Sequence, residues 1–453
     1  MRDGQEGALA GKHGGMNMAR LSLAYLRRNA LSATLNLLLL ALGIATITVL
    51  LLFGHQVEQR LSRDAAGIDL VVGAKGSPMQ LILSSIYHID APTGNIPLQD
   101  ANWVREHPLV ADTIPLALGD SYRGFRIVGT SHQYAAHYGG TPRRGEMWQD
   151  DMEAVLGADA AERTNLGVGD TFVGVHGIAA DGAAGGEVHD DHPYRITGVL
   201  ERTGTVLDRL ILVSVPSVWQ VHDHDHDHDD EEHSDSGEHA HEDEAREHVH
   251  EDDHEDDNGG DDAAAEHGHD DERELTALLV QYQSPLAAVT LPRVVNSRGA
   301  LQAAAPAYET ARLMRMLGVG MNTLQAFGWM LVLAAGLGVF IGLYNALKDR
   351  RYDLALMRAL GASRGKLFLH VMCEAVLLAL AGALLGLLLG HLAAEVLGQM
   401  FRHTQQLNMT GLVFVPQQLW LVAMAVGVGA LAALIPAIRA YRTDIAETLS
   451  RGR

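Results

Sequence analysis

Cysteine is almost absent from this sequence: Cys373 stands alone, so no disulfide within the chain is available and cysteine usage assigns no compartment. The phosphate-cradling pattern G-x-x-x-x-G-K-[ST] does not occur either. Gly73 to Pro78 (GAKGSP) lacks its spacing, so these residues hold no nucleotide-binding loop of that kind. Charge is missing from several long apolar stretches, and this absence carries most of the positive information.

The formal net charge of −22 suggests an acidic soluble protein until the acids are located. Of the 56 Asp and Glu, 25 lie between His222 and Glu272, where Arg246 is the sole base. The other 31 acids meet 33 Lys and Arg, so the rest of the chain is nearly neutral. An argument from overall acidity about partners therefore fails, and no nucleic acid is expected.

Leu31 to Gly54 (LSATLNLLLLALGIATITVLLLFG) carries no charge over 24 residues. At about 1.5 Å per residue this run crosses a hydrocarbon core of about 30 Å. It is long for a signal peptide and no A-x-A-like site closes it, so an uncleaved anchor is expected. Further apolar stretches place spans at 321–347, 367–392 and 417–438.

Arg20, Arg27 and Arg28 precede the first span, and Lys348, Arg350, Arg351, Arg358, Arg364 and Lys366 crowd the loop after the second. Arg439, Arg442, Arg451 and Arg453 follow the fourth. By the positive-inside rule these are cytoplasmic, which places segments 1–30, 348–366 and 439–453 inside a bacterial inner membrane. Residues 55–320 and the short loop 393–416 then lie outside, on the periplasmic face.

Gly382, Gly386 and Gly390 recur at four-residue spacing in the third span, and Gly338 and Gly342 repeat the device in the second. Such spacing lets helix backbones approach where lipid supplies no hydrophobic drive for association. Glu374 is the only acid inside a span, and a structural role facing the bundle is expected of it. No series of ionisable groups marks a hydrophilic conduit.

Beyond the first span the text changes to short β-type runs: 69–73, Gly124 to Thr130 (GFRIVGT), Tyr194 to Leu200 (YRITGVL), Arg209 to Val215 and Leu275 to Gln283. Helices are expected at Met152 to Leu166, Ser284 to Val295 and Pro306 to Leu317. The expected fold is a membrane α+β protein: four transmembrane helices with a large extracytoplasmic α+β domain, 55–320, inserted between helices 1 and 2.

Three stretches carry a resemblance. The first is the ordered set GFRIVGTSHQY (Gly124 to Tyr134), RGEMW (Arg144 to Trp148), AVLGADAAERTNLGVGDTF (Ala154 to Phe172) and YRITGVLERTGTVLDRLIL (Tyr194 to Leu212). The second is DRRYDLALMRALGASRGKL (Asp349 to Leu367), and the third IPAIRAYRTDIAETL (Ile435 to Leu449). Together, on a four-span layout, they resemble the MacB/FtsX-type ABC permeases, whose relatives include the lipoprotein-releasing LolC and LolE subunits. Two departures stand out: Asp353 sits where the family more often has Glu, and Ile445 follows Asp444 where the family has Pro.

The resemblance implies a dimeric permease, formed with a second copy or a paralogue, and a separate ABC ATPase subunit that holds ATP and magnesium. The permease itself is then no enzyme. Hydrolysis in the cytoplasm would move the periplasmic domains, often without passing a substrate through the spans. Asp353, Arg358 and Gly361, with Arg350 and Arg351, are the expected coupling residues. The same basic residues also set topology.

Residues 222–273 form an insertion in which disorder is expected, because no apolar periodicity survives. Its twelve histidines are His222, His224, His226, His228, His233, His239, His241, His248, His250, His254, His267 and His269. Imidazole suits zinc, copper and nickel, so several weak metal sites are expected, zinc first among them. His250-Glu251-Asp252-Asp253-His254 matches the H-E-x-x-H spacing of zinc proteases, but it has no apolar helical face and reads as a chance match.

Two functions compete. One is a mechanotransmission permease working on an envelope process, with a periplasmic metal-binding protein or lipoprotein as partner. The alternative is a metal transporter that passes zinc through the membrane dimer, the His-rich loop acting as collector.

Overall fold

The computed structural model describes residues 30–177, 192–223, 273–349, 359, 363–405 and 409–442. The described chain divides into two compact units, residues 1–59 with 314–453 and residues 60–313.

The first unit is a helical bundle. Its helices are α1 (Ala30–Asp64), α8 (Pro306–Asp349), α9 (Arg364–Gln405) and α10 (Gln417–Arg442), each long and apolar enough to cross a membrane. The protein is thus a four-span membrane protein with a large α+β domain inserted after its first span. Leu40, Ile44 and Ile47 of α1 pack with Val332 and Ala335 of α8, Ala379 and Ala383 of α9, and Leu421 and Ala425 of α10. In α10 the buried positions Leu421, Ala425, Gly429, Ala433 and Ala437 recur every fourth residue and form one face. Large apolar side chains such as Leu337, Leu388 and Leu431 point outward, as lipid-facing residues do.

The turn between α9 and α10 is tied down by side chains. Gln56 Nε2 donates to the Thr410 carbonyl at 2.9 Å while its Oε1 accepts from Thr410 N at 3.0 Å. Glu395 Oε2 accepts from Thr410 Oγ1 at 3.0 Å and from Gly411 N at 2.8 Å. Backbone groups near a bilayer are costly to leave unpaired, and these contacts pair them.

The second unit is built on an eleven-stranded mixed sheet. Its path runs β13 (Leu301–Ala304), β1 (Leu70–Ala74), β12 (Ala277–Tyr282), β3 (Val110–Tyr122), β4 (Phe125–Thr130), β10 (Leu210–Ser214), β6 (Glu153–Leu156), β9 (Tyr194–Leu200), β5 (Pro142–Gly145). β7 (Thr171–Phe172) pairs with β9, and β8 (Val175–His176) with β3. β2 (Ile96–Pro97) and β11 (Glu274–Leu275) form a separate pair. Short helices α2 (Pro78–Ser85), α3 (Leu98–Arg105), α4 (His132–His137), α5 (Ala158–Thr164), α6 (Val215–Asp223) and α7 (Ala287–Ser297) complete the domain.

β3 joins the two halves of the sheet. Its first part, to Leu116, pairs with β12, and its second, from Ala117, with β4. The register shifts between Leu118 and Ser121, and Leu118 N donates to Thr276 Oγ1 at 2.9 Å, which gives the freed amide a partner.

The helix expected over Met152 to Leu166 is divided. Glu153–Leu156 is a fully buried strand held between β10 and β9, and the helix begins only at Ala158. Gly157 is the pivot: its N donates to Leu210 O at 2.9 Å, and a Cβ there would lie 2.2 Å from the Leu207 carbonyl. Two sheet neighbours outweigh the helical propensity of a four-residue run.

Candidate functional site

Three side chains from distant parts of the sequence meet at the second half of β3. Asp120 comes from the second half of β3 and is 3% exposed. His176, on β8, stands opposite it in antiparallel register, and the close is fixed by Gly177 N donating to Gly119 O at 2.9 Å. His222 comes from the last turn of α6.

The sequence places His222 by ordinary means. Ser214 Oγ accepts from Ser217 N at 3.1 Å, and Pro216 falls in the first turn, so α6 starts directly at the end of β10. Val218 and Val221 are buried and pack the helix on the sheet. Gly129 of β4 leaves room for this, since a Cβ there would lie 2.6 Å from Val218 Cγ2. His222 is four residues beyond Val218 and therefore projects from the same face. Gly119 accepts its ring: a Cβ at that position would lie 2.7 Å from His222 Nε2.

Asp120 Oδ1 is 3.5 Å from His176 Nδ1 and 3.6 Å from His222 Nε2. One ligand atom from each of the three residues lies within 4.8 Å of the other two, and the imidazoles meet edge to face with centroids 5.4 Å apart. Below the carboxylate, the Tyr194 hydroxyl is buried, and both its burial and the charge of Asp120 raise its pKa far above the usual tyrosine range. A carboxylate and two imidazoles at this spacing form a donor set for a transition metal.

Of the histidines expected to bind metal, only His222 lies within the described residues; His224 through His269 lie outside them. The sequence reading found neither Asp120 nor His176. The expected coupling residues Arg350, Arg351, Asp353, Arg358 and Gly361 also lie outside the described residues.

In the bundle, Gly382, Gly386 and Gly390 face α1: Cβ atoms on them would lie 2.7 Å from Leu40 Cδ2, 2.7 Å from the Ala41 carbonyl and 2.7 Å from Thr48 Cβ, respectively. Gly338 lies against Asn36, and Gly342 is half-buried. A further close approach, at Gly43, where a Cβ would lie 2.9 Å from the Gly328 carbonyl, has no recurrent spacing to announce it. Glu374 is buried on α9, one turn from the equally buried His370.

A second polar cluster, mostly buried, lies within residues 60–313. The Tyr138 hydroxyl donates to Asp64 O at 2.8 Å, Asp64 Oδ1 accepts from Val206 N at 2.8 Å, and His88 Nε2 meets the Tyr134 hydroxyl at 2.9 Å. Burial, with Arg126 and Arg209 nearby, holds the His88 imidazole well below the usual histidine range.

Comparison with known proteins matches residues 33–235 to the MacB-like periplasmic core domain and residues 326–445 to the FtsX-like permease C-terminal domain. Among solved structures, the periplasmic region of MacB from Actinobacillus actinomycetemcomitans matches with 12% identity and a TM-score of 0.32, over 57% of this chain and 98% of that one. The extracellular domain of the noncanonic ABC-type transporter YknZ from Gram-positive bacteria matches with 12% identity and a TM-score of 0.27, over 52% of this chain and 98% of that one. No curated protein matches the chain.

Proposed function

Because this chain belongs to the MacB/FtsX-type ABC transporter permease family, we propose that it is the membrane subunit of a mechanotransmission transporter whose periplasmic work is tied to zinc or a similar transition metal. The observation that carries the reading is the pairing of a MacB-like periplasmic core and an FtsX-like permease domain on one four-span chain. A separate ABC ATPase supplies the energy, and a second permease copy or paralogue completes the dimer.

Physical chemistry supports transmission of movement rather than passage of solute. Within the bundle the buried polar side chains, among the described residues, are Thr48, His370, Glu374 and Gln418. Four such groups, spread over three helices, make a poor path for a hydrated cation. α1 and α8 run on as helix past their apolar windows, to Asp64 and from Pro306, which suits them to carry displacement. The basic segment 348–366 docks on the ATPase, with Asp353, Arg358 and Gly361 at its centre. The His-rich tract ties the periplasmic work, shared with a metal-binding protein or a lipoprotein, to the metal.

The test is reconstitution of the full chain with its ATPase in nanodiscs and in sealed vesicles. Stimulated ATP hydrolysis, weakened at least tenfold by Arg358→Glu, without zinc accumulation in the vesicles, is the expected result. Zinc accumulation driven by ATP would replace the reading with passage through the dimer. Absence of stimulation would remove it.

A further inference from the structure

We infer that Asp120, His176 and His222, the first histidine of the His-rich tract, form a zinc-class metal site set apart from the low-order sites of the tract's later histidines. The inference deepens the metal-linked part of the proposed function and rests on it for purpose, but its chemistry stands on these three residues alone.

The spacing is that of a coordination shell. Ligand bonds of about 2.0 to 2.1 Å arranged tetrahedrally put neighbouring donor atoms about 3.3 to 3.4 Å apart. Asp120 Oδ1 lies 3.5 and 3.6 Å from the two imidazole nitrogens, so closure around an ion needs only small side-chain movements. The donor types select the metal. Two imidazoles and a carboxylate suit zinc and its neighbours, whereas magnesium and calcium demand six or more oxygens.

Each ligand is also positioned by the fold. Asp120 is buried on a sheet strand, His176 is fixed opposite it by the strand pair, and His222 by the seat that Gly119 provides. Among the described residues the shell has three protein ligands, which leaves one coordination position for water or an exchangeable donor, the pattern of a site that loads and unloads rather than a closed structural one.

The place in the fold gives the site a consequence. β3 is the strand that joins both halves of the sheet, β8 precedes residues 178–191, and α6 precedes the His-rich tract. A metal ion bound here cross-links β3, β8 and the end of α6, so occupancy fixes the ends of β8 and α6 to the central strand. The site reads periplasmic metal and reports it to the sheet.

The experiment uses the full chain in detergent with residues 224–272 replaced by a short Gly-Ser linker, which removes the tract. The ends tolerate this, since Trp219 Nε1 donates to Glu274 O at 2.7 Å and so draws them together. Calorimetry should show one zinc per chain at micromolar affinity or tighter, with a rise in melting temperature that magnesium and calcium do not produce. Asp120→Asn should abolish both. His176→Gln, at a side chain 60% exposed, should weaken binding at least tenfold without loss of fold, and so serves where the buried Asp120 variant misfolds. Bound cobalt should show visible absorption that either variant removes.

Failure of the tract-deleted chain to bind zinc, or binding unchanged by His176→Gln, overturns the inference. The permease reading fails separately: loss of ATPase stimulation in a chain that still binds one zinc strikes that reading and leaves the site standing.

Discussion

The Tyr87 hydroxyl lies 2.6 Å from Thr310 Oγ1 and 3.3 Å from the Leu61 carbonyl, so one buried side chain joins the periplasmic ends of α1 and α8. Tyr87 is 1% exposed, and its burial raises the phenol pKa, which keeps the hydroxyl a neutral donor at all physiological pH. These two helices are the continuous connections to the membrane spans. A bond between them within the domain makes them move together.

Tyr87→Phe keeps the ring and removes the hydroxyl. The half-buried Thr310 hydroxyl and the Leu61 carbonyl each lose a partner, a loss of about 1 to 2 kcal/mol. We expect a melting temperature lower by a few degrees and, in the reconstituted complex, ATP hydrolysis less responsive to the permease. Unchanged coupling in a destabilised variant would confine Tyr87 to folding.

His88 gives a pH dependence of known sign. Its imidazole is buried and held neutral, whereas in the unfolded chain it titrates near about pH 6.5. Below that pH the unfolded state binds the extra proton and the native state resists it, so stability falls as pH drops from about 6.5 towards the native pKa. At φ 51° the backbone is in the left-handed region, which Asn tolerates. His88→Asn should therefore be less stable than the native protein at pH 8, by an amount that shrinks by pH 5. A gap of equal size at both pH values would show that this imidazole does not carry the dependence.

Much of the architecture is legible in the sequence, for identifiable reasons. The spans announce themselves because a bilayer demands long uncharged runs, and GFRIVGT and YRITGVL read as strands because buried β-branched and aromatic residues cluster there. β3 is hidden, although it is the longest strand: Asp112, Pro115, Gly119 and Asp120 interrupt its apolar pattern, and each is explained only by a neighbour. Gly119 is small for the sake of His222, and Thr130 Oγ1 donates to the Pro115 carbonyl at 2.8 Å. The metal cluster is illegible for the same reason. Asp120 and His176 are single polar residues far apart in the chain, and only the pairing of β8 with β3 makes them adjacent.

Bundle packing can be tested with two glycines that differ in surroundings. A Cβ on Gly386 would lie 2.7 Å from both the Ala41 carbonyl and Ile44 Cβ, whereas a Cβ on Gly427 would meet no atom within 4 Å beyond its own helix backbone. Gly386→Ala should force α1 and α9 apart, costing about 1 to 3 kcal/mol as overpacking does, and should lower the melting temperature in detergent. Gly427→Ala should leave it unchanged or raise it, since alanine favours helix. Equal effects at the two positions would mean that backbone propensity, not close approach of α1, governs the bundle.

Gly119 separates the metal site from its ligands. A methyl group there falls 2.7 Å from His222 Nε2, and the strand backbone otherwise accepts alanine, so Gly119→Ala displaces an imidazole without touching a donor atom. In the tract-deleted chain, zinc affinity should fall about tenfold or more, corresponding to about 1.4 kcal/mol, while the melting temperature without metal changes little. Calorimetry and melting on the same sample measure both. If affinity holds, His222 reaches the ion from another direction or is no ligand, and replacing His222 by Gln decides which: retained binding removes it from the shell, and lost binding keeps it there with a seat more tolerant than a 2.7 Å contact suggests.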